Sequence, residues 1–177
     1  MLKPKLMISS ILIIAALLLS SCSLGESRTE MLSKDNDDKV ADARLEQVIE
    51  AIQNQDKDAL KAMFSKQALA EAKGLDQNMD YLFELFQGEV KSKDDDGGPQ
   101  VSESNDHGHV TKEVKSFYTV ETDKQKYFFF LLEYTEDTDH PDNVGLYTLR
   151  VIKAEDEETQ YSSWQKMKIA GIYKPVQ

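Results

Sequence analysis

The sequence predicts an α+β fold, with helices first and an antiparallel sheet after them. Three observations lead there. Between Leu45 and Phe86 the apolar residues recur at three- and four-residue spacings, the period of a helix with one buried stripe. From Glu89 onward they alternate with polar residues, the period of a strand. The segments joining those strands are short acidic or glycine-bearing turns, so neighbouring strands run antiparallel and are not linked by crossover helices.

The helical half reads as three helices packed on the sheet, with a further short one before the last. Leu45, Val48, Ile49 and Ile52 form the first stripe, which ends near Gln53-Asn54. Asp56 is placed to cap a second helix carrying Ala59, Leu60, Met63 and Phe64. Ser65 to Ala72 continues as a short separate helix, stopped by Lys73-Gly74. Asp76 is expected to cap the next, with Met79, Leu82, Phe83 and Phe86 on one side and Gly88 closing it.

The sheet half should hold about five or six strands. Glu89 to Lys93 and Gln100 to Asn105 flank the turn Asp94-Asp95-Asp96-Gly97-Gly98-Pro99. Val114 to Glu121 turns through Asp123-Lys124-Gln125 into Lys126 to Thr135. Phe128, Phe130, Leu132 and Tyr134 share one face of that strand; Tyr127, Phe129, Leu131 and Glu133 share the other. Val144 to Ala154 follows the loop Glu136 to Asn143. After a further acidic turn, Trp164 to Tyr173 is expected as the last strand, with Met167 and Ile169 inward.

Ahead of all this lies a different kind of sequence. Lys3 and Lys5 precede an apolar run ending at Leu19, then Ser20, Ser21 and Cys22. A positive flank, a short greasy segment and small residues before a cut are the marks of a secretory signal. The run falls short of the ~20 residues that a bilayer span needs. Leu19-Ser20-Ser21-Cys22 resembles the lipobox of bacterial lipoproteins. That resemblance implies cleavage between Ser21 and Cys22, lipid attachment at Cys22, and an extracytoplasmic protein anchored to the cell membrane. Cys22 is the chain's single cysteine, so no disulfide forms within it. Residues 1–21 are thus read as the signal peptide, 22–39 as a polar tether, and 40–175 as one α+β domain.

The net charge is −11, and removing a leader that holds two lysines and no acid makes the mature chain −13. Such a surface repels phosphate backbones, so nucleic acid is excluded as a partner. It repels anionic lipid too. Anchoring then rests on acyl chains alone, each buried CH₂ contributing about 0.8 kcal/mol.

Two longer resemblances follow from the order of elements. The helices, the phrase Asp56-Lys57-Asp58-Ala59-Leu60-Lys61-Ala62-Met63-Phe64 and a sheet ending in a glycine-containing strand resemble the cone-shaped fold of nuclear transport factor two. Tyr81 to Gly88, Asp142 to Val151 and Met167 to Tyr173 are similar to phrases of an uncharacterised family of Gram-positive lipoproteins assigned to that fold. The resemblance implies a curved sheet and a cavity between sheet and helices. It implies no activity.

No residue pattern specifies a reaction or a cofactor. His107-Gly108-His109, beside Asp106 and with His140 later, sits in a polar run that reads as a solvated hairpin loop, not a metal site. Asp35 to Glu46 and Asp94 to Asn105 both fail the calcium-loop pattern. For acid–base chemistry in the cavity, the helices offer Asp80, Tyr81 and Glu84, and the strands offer Glu133, Tyr147 and Arg150. The strand Tyr127 to Leu132 is apolar on both faces, and both need cover. With helices on one, Phe129, Leu131, Leu146 and Ile152 are expected to form an apolar interface on the other. The expected function is a non-catalytic module binding a small ligand, an envelope protein or a second copy of itself; the alternative is an enzyme using the cavity.

Overall fold

The computed structural model describes residues 22–160 and 167–175. The leader, Ser21 and Trp164 lie outside them. The chain divides into two compact units, Met1–Asp37 and Asp38–Gln177, the second holding the sheet and its core.

Four helices precede the sheet, the short one read over Ser65 to Ala72 among them. The first, α1, spans Cys22–Gln53 and so begins well before the Val40 start that apolar periodicity suggests. Residues 23 to 39 carry no proline and many good helix formers, so their polarity does not forbid helical backbone. Ala41, Leu45, Val48, Ile49 and Ile52 are buried along one stripe. The second and third, α2 (Lys57–Met63) and α3 (Lys66–Glu71), are each capped by a side chain. Asp56 accepts from Ala59 N–H at 2.9 Å and Ser65 from Ala68 N–H at 3.0 Å. The fourth, α4 (Leu75–Leu85), starts after Gly74, whose φ of +63° places it in the left-handed region. Asp76, expected as its cap, instead lies in the first turn and pairs with Lys61 at 2.6 Å.

The sheet contains β1 (Val90–Asp95), β2 (Gln100–Asp106), β3 (His109–Thr122), β4 (Lys126–Asp137), β5 (Gly145–Lys153) and β6 (Gly171–Ile172). The order is β1-β3-β4-β5-β6, and β2 also pairs with β3. Both short strands lie along one side of β3: Asp95 opposite Tyr118, and Gln100 opposite Lys115. Together they form one edge, interrupted at Asp96 to Pro99. The hairpin from β2 to β3 turns at His107 and Gly108, both at positive φ, as a two-residue turn that matches strand twist requires.

The sheet is mixed, where an antiparallel meander was expected. β5 and β6 run parallel, with Thr148 opposite Gly171 and Leu149 opposite Ile172. A parallel pair needs a crossover. Here it comprises a 3₁₀ turn at Ala154–Asp156, the short helix α5 (Glu157–Gln160) and a return through Met167. The last strand is therefore two residues long. Thr148 bonds both backbone groups of Ile169, which replaces the ladder that Met167 to Ala170 would otherwise have made.

Each face of the sheet has its own core. On the helix side Tyr127, Phe129 and Leu131 of β4 meet Leu146, Leu149 and Val151 of β5, with Leu60, Met79, Leu82 and Phe86 above them. Phe86 packs edge-on to Phe129 at 5.7 Å between ring centres. On the opposite side Phe117, Phe128, Phe130, Leu132 and Ile152 cluster with Met167 of the crossover. The expected interface is thereby corrected. Phe129, Leu131 and Leu146 are fully buried beneath the helices, and Ile152 is buried on the other face. Register explains it: Ile152 lies opposite Phe128, not Phe129, and a bulge between Leu132 and Glu133 carries Leu146 to the helix side out of strict alternation.

Candidate functional site

The inward helix side carries few polar groups. Glu133 is buried and receives Arg44 Nε at 2.9 Å. Tyr118 donates to Asp42 at 3.0 Å, and burial, then Asp42, drives its phenol well above the usual range. A shallow hollow of about 220 Å³ adjoins this pair, lined by Asp42, Leu45, Glu46, Lys93, Asp95 and Tyr118. The remaining acid–base candidates are not brought together. Asp80 is exposed and paired with Lys57, Glu84 is exposed on the same helix, and Tyr81 lies under Lys174. Arg150 is buried on the far face, its guanidinium 3.8 Å from the centre of the Tyr173 ring and donating to Gln160 O. The histidines are exposed, His107 and His140 at turns and His109 at the start of β3: His107 with Asp106, His109 with Asp139, and His140 near Asp137. Among the described residues no three His, Cys, Asp or Glu side chains converge as metal ligands.

One cluster does converge, and it draws on four elements and the segment entering β6. Tyr134 at the end of β4 and Tyr147 near the start of β5 stand with ring centres 6.4 Å apart and planes at 88°. They make two walls of a corner. Each hydroxyl is pinned by a carboxylate: Tyr134 donates to Glu113 of β3 at 2.8 Å, and Tyr147 to Glu71 of α3 at 2.5 Å. Lys168, on the segment entering β6, places its ammonium 4.9 Å from the Tyr134 centre and 5.1 Å from the Tyr147 centre. It also donates to the Tyr134 hydroxyl. The Tyr147 distance falls inside the ~6 Å range of cation–π attraction, whereas at Tyr134 the ammonium lies at the hydroxyl edge of the ring. The Thr148 clamp on Ile169 fixes the backbone beside Lys168.

Local chemistry sets the charges. Burial works to raise the Glu113 carboxyl, but hydrogen bonds from Lys115 and Tyr134 outweigh it and hold the group below the carboxylate range. Glu71 is lowered by its bonds from Tyr147 and Gln67. Burial raises both phenols, Tyr147 to about 12 with help from Glu71. Burial opposes the Lys168 ammonium, yet Tyr134 and Glu113 leave it raised. At neutral pH the corner therefore holds ionised carboxylates, neutral phenols and a charged lysine. Beside it opens a hollow of about 340 Å³, lined by Ser102, Glu103, Ser104, Thr111, Glu113 and Tyr134.

Sequence reasoning singled out only Tyr147 of this group as a site candidate and placed Tyr134 merely on one face of its strand. Glu71, Glu113, Tyr134 and Lys168 come from separate elements, and no spacing along the chain marks them.

The fold and its surface corner define a class: an α+β domain with a mixed six-stranded sheet, layered on one face by helices, bearing an aromatic and carboxylate recess. Within that class the chain belongs to the DUF5104 family, a domain of unknown function whose model matches residues 47–154. The match takes in Glu71, Glu113, Tyr134 and Tyr147 and ends before Lys168. No curated protein matches the chain.

Proposed function

We propose that the chain is a lipid-anchored, extracytoplasmic binding module and not an enzyme. The observation that carries the second half is the protonation of the tyrosine corner. A general acid or base works best with a pKa near the operating pH. Here the carboxyls are pushed down and the phenols and lysine pushed up, each away from neutrality. Such groups hold a ligand by charge and ring contact, and exchange protons poorly.

Anchoring rests on the leader and on Cys22, which resemble a lipoprotein signal and its acyl acceptor. Among the described residues no helix is long and apolar enough to cross a membrane. The likeness to the nuclear transport factor two fold is supported by helices preceding the sheet and covering one of its faces.

Metabolic labelling with a clickable fatty acid, followed by membrane fractionation of Cys22→Ala, tests the anchor. Loss of label and release from the membrane fraction are expected; retention of both overturns it. Screening ester, glycoside and phosphate substrates against wild type and Tyr134→Phe tests the rest. Turnover that Tyr134→Phe abolishes overturns the binding reading.

A further inference from the structure

We infer that the outer edge of β2 docks a cationic polypeptide segment as an added strand; this rests on the binding-module reading and names its partner. Folded proteins blunt an open sheet edge with proline, a bulge, lysine or a covering element. β2 carries none of these devices. Its seven residues pair with β3 in unbroken register, they include no proline and no lysine, and every one is exposed. Among the described residues β3 is the only strand it pairs with. The two-residue turn makes Asp106 and His109 a hydrogen-bonded pair. Alternation from there points the amides and carbonyls of Val101, Glu103 and Asn105 away from β3, toward the open edge.

Charge selects the occupant. From Asp94 to Asp106 the outer row carries five acids and no lysine or arginine. All of those acids are exposed. The nearby lysines, Lys112 and Lys115, stand one strand further in, the first 4.0 Å from Glu103 and the second paired with Glu113. A second copy would bring the same acids and be repelled, whereas a strand bearing lysine or arginine is drawn in. Backbone hydrogen bonds then hold it, the mode by which extended peptides add to sheets. On one face Ser102 and Ser104 adjoin Thr111 and Tyr134 along the hollow of about 340 Å³, which receives alternate side chains of the incoming strand.

The probe is an acetylated, amidated hexapeptide alternating lysine with threonine, titrated into the full chain in zwitterionic detergent. Amide hydrogen exchange is followed residue by residue by NMR. At saturation the amides of Val101, Glu103 and Asn105 are expected to exchange at least about tenfold more slowly. Those of Ser102 and Ser104, already turned to β3, should change little. The same peptide N-methylated at its two central residues, one on each of its edges, keeps its charge and loses the ladder, and should bind about tenfold more weakly. A version with glutamate for lysine should give no protection. Equal affinity of the methylated peptide, which would leave surface charge alone, overturns the inference. So does equal affinity of the glutamate peptide, or protection confined to residues outside β2. Protection of the same amides that grows with protein concentration in the absence of peptide would assign the edge to a second copy, and overturns it too. All of these outcomes leave the binding-module reading standing, since that reading falls only on turnover.

Discussion

Arg44 of α1 and Glu133 of β4 stand 2.9 Å apart, nitrogen to oxygen, across 89 positions of sequence. The carboxylate is almost wholly buried and the guanidinium about one quarter exposed. Arg44 also donates to Gln47 one turn on, which orients the fork.

Removing one member of such a pair leaves a charge in apolar surroundings. Arg44→Met should therefore lower unfolding free energy by ~2–4 kcal/mol, the exposed side of Arg44 moderating the loss. Arg44→Met with Glu133→Gln should recover part of it, because no charge is then stranded. Urea denaturation of the three chains measures both effects; a double variant as unstable as the single would contradict the account.

Phe129→Asp should unfold the domain instead of freeing an interface. The ring is fully buried under Phe86, and a carboxylate there has no partner. A loss above ~4 kcal/mol is expected, visible as collapse of the far-ultraviolet dichroism. Val101→Asp, on the exposed edge strand, should stay within ~0.5 kcal/mol of wild type.

Gly145→Ala should be costly for two reasons at one position. Its φ is +127°, and an added Cβ would come within 2.9 Å of Ser65 N. That contact is where the α2–α3 link docks on β5, through Ser65 N–H donating to Leu146 O at 2.9 Å. A loss of ~2–3 kcal/mol in urea unfolding is expected, with α3 the first element to lose amide-exchange protection.

Alkaline stability should report on Tyr147. Its phenol is shifted from the ordinary 10.0 to about 12, so the folded chain holds that proton more tightly than the unfolded chain. The contribution is whole below pH 10 and disappears as pH rises toward 12. Wild type should thus be more stable than Tyr147→Phe at pH 9, and the gap in urea midpoint should close by pH 12. Glu113 has the opposite sign: its lowered carboxyl stabilises above pH 4.5, and that support is lost as acid brings the pH below this value.

Periodicity served the sequence reading well wherever a single element decided the answer. The α1 stripe, the Asp56 cap, the stop at Gly74 and the two faces of β4 were all legible because each depends on near neighbours. What depended on pairing was not. Which β4 face meets the helices is invisible when both faces are equally apolar. The bulge that moves Leu146 is set by the partner strand, and the parallel placement of β6 by a crossover without a strong helical pattern. The tyrosine corner was hidden for the same reason, since its parts are separated by up to 97 positions, from Glu71 to Lys168.

The interrupted edge of β1 and β2 has a consequence for how the protein behaves when crowded. A long, flat, uncharged edge invites copies to zip together into fibrils. This one is broken at Asp96 to Pro99 and carries Asp94, Asp95, Glu103 and Asp106, all exposed, so two like edges repel before their backbones meet. At high concentration this edge therefore resists pairing with its own copy.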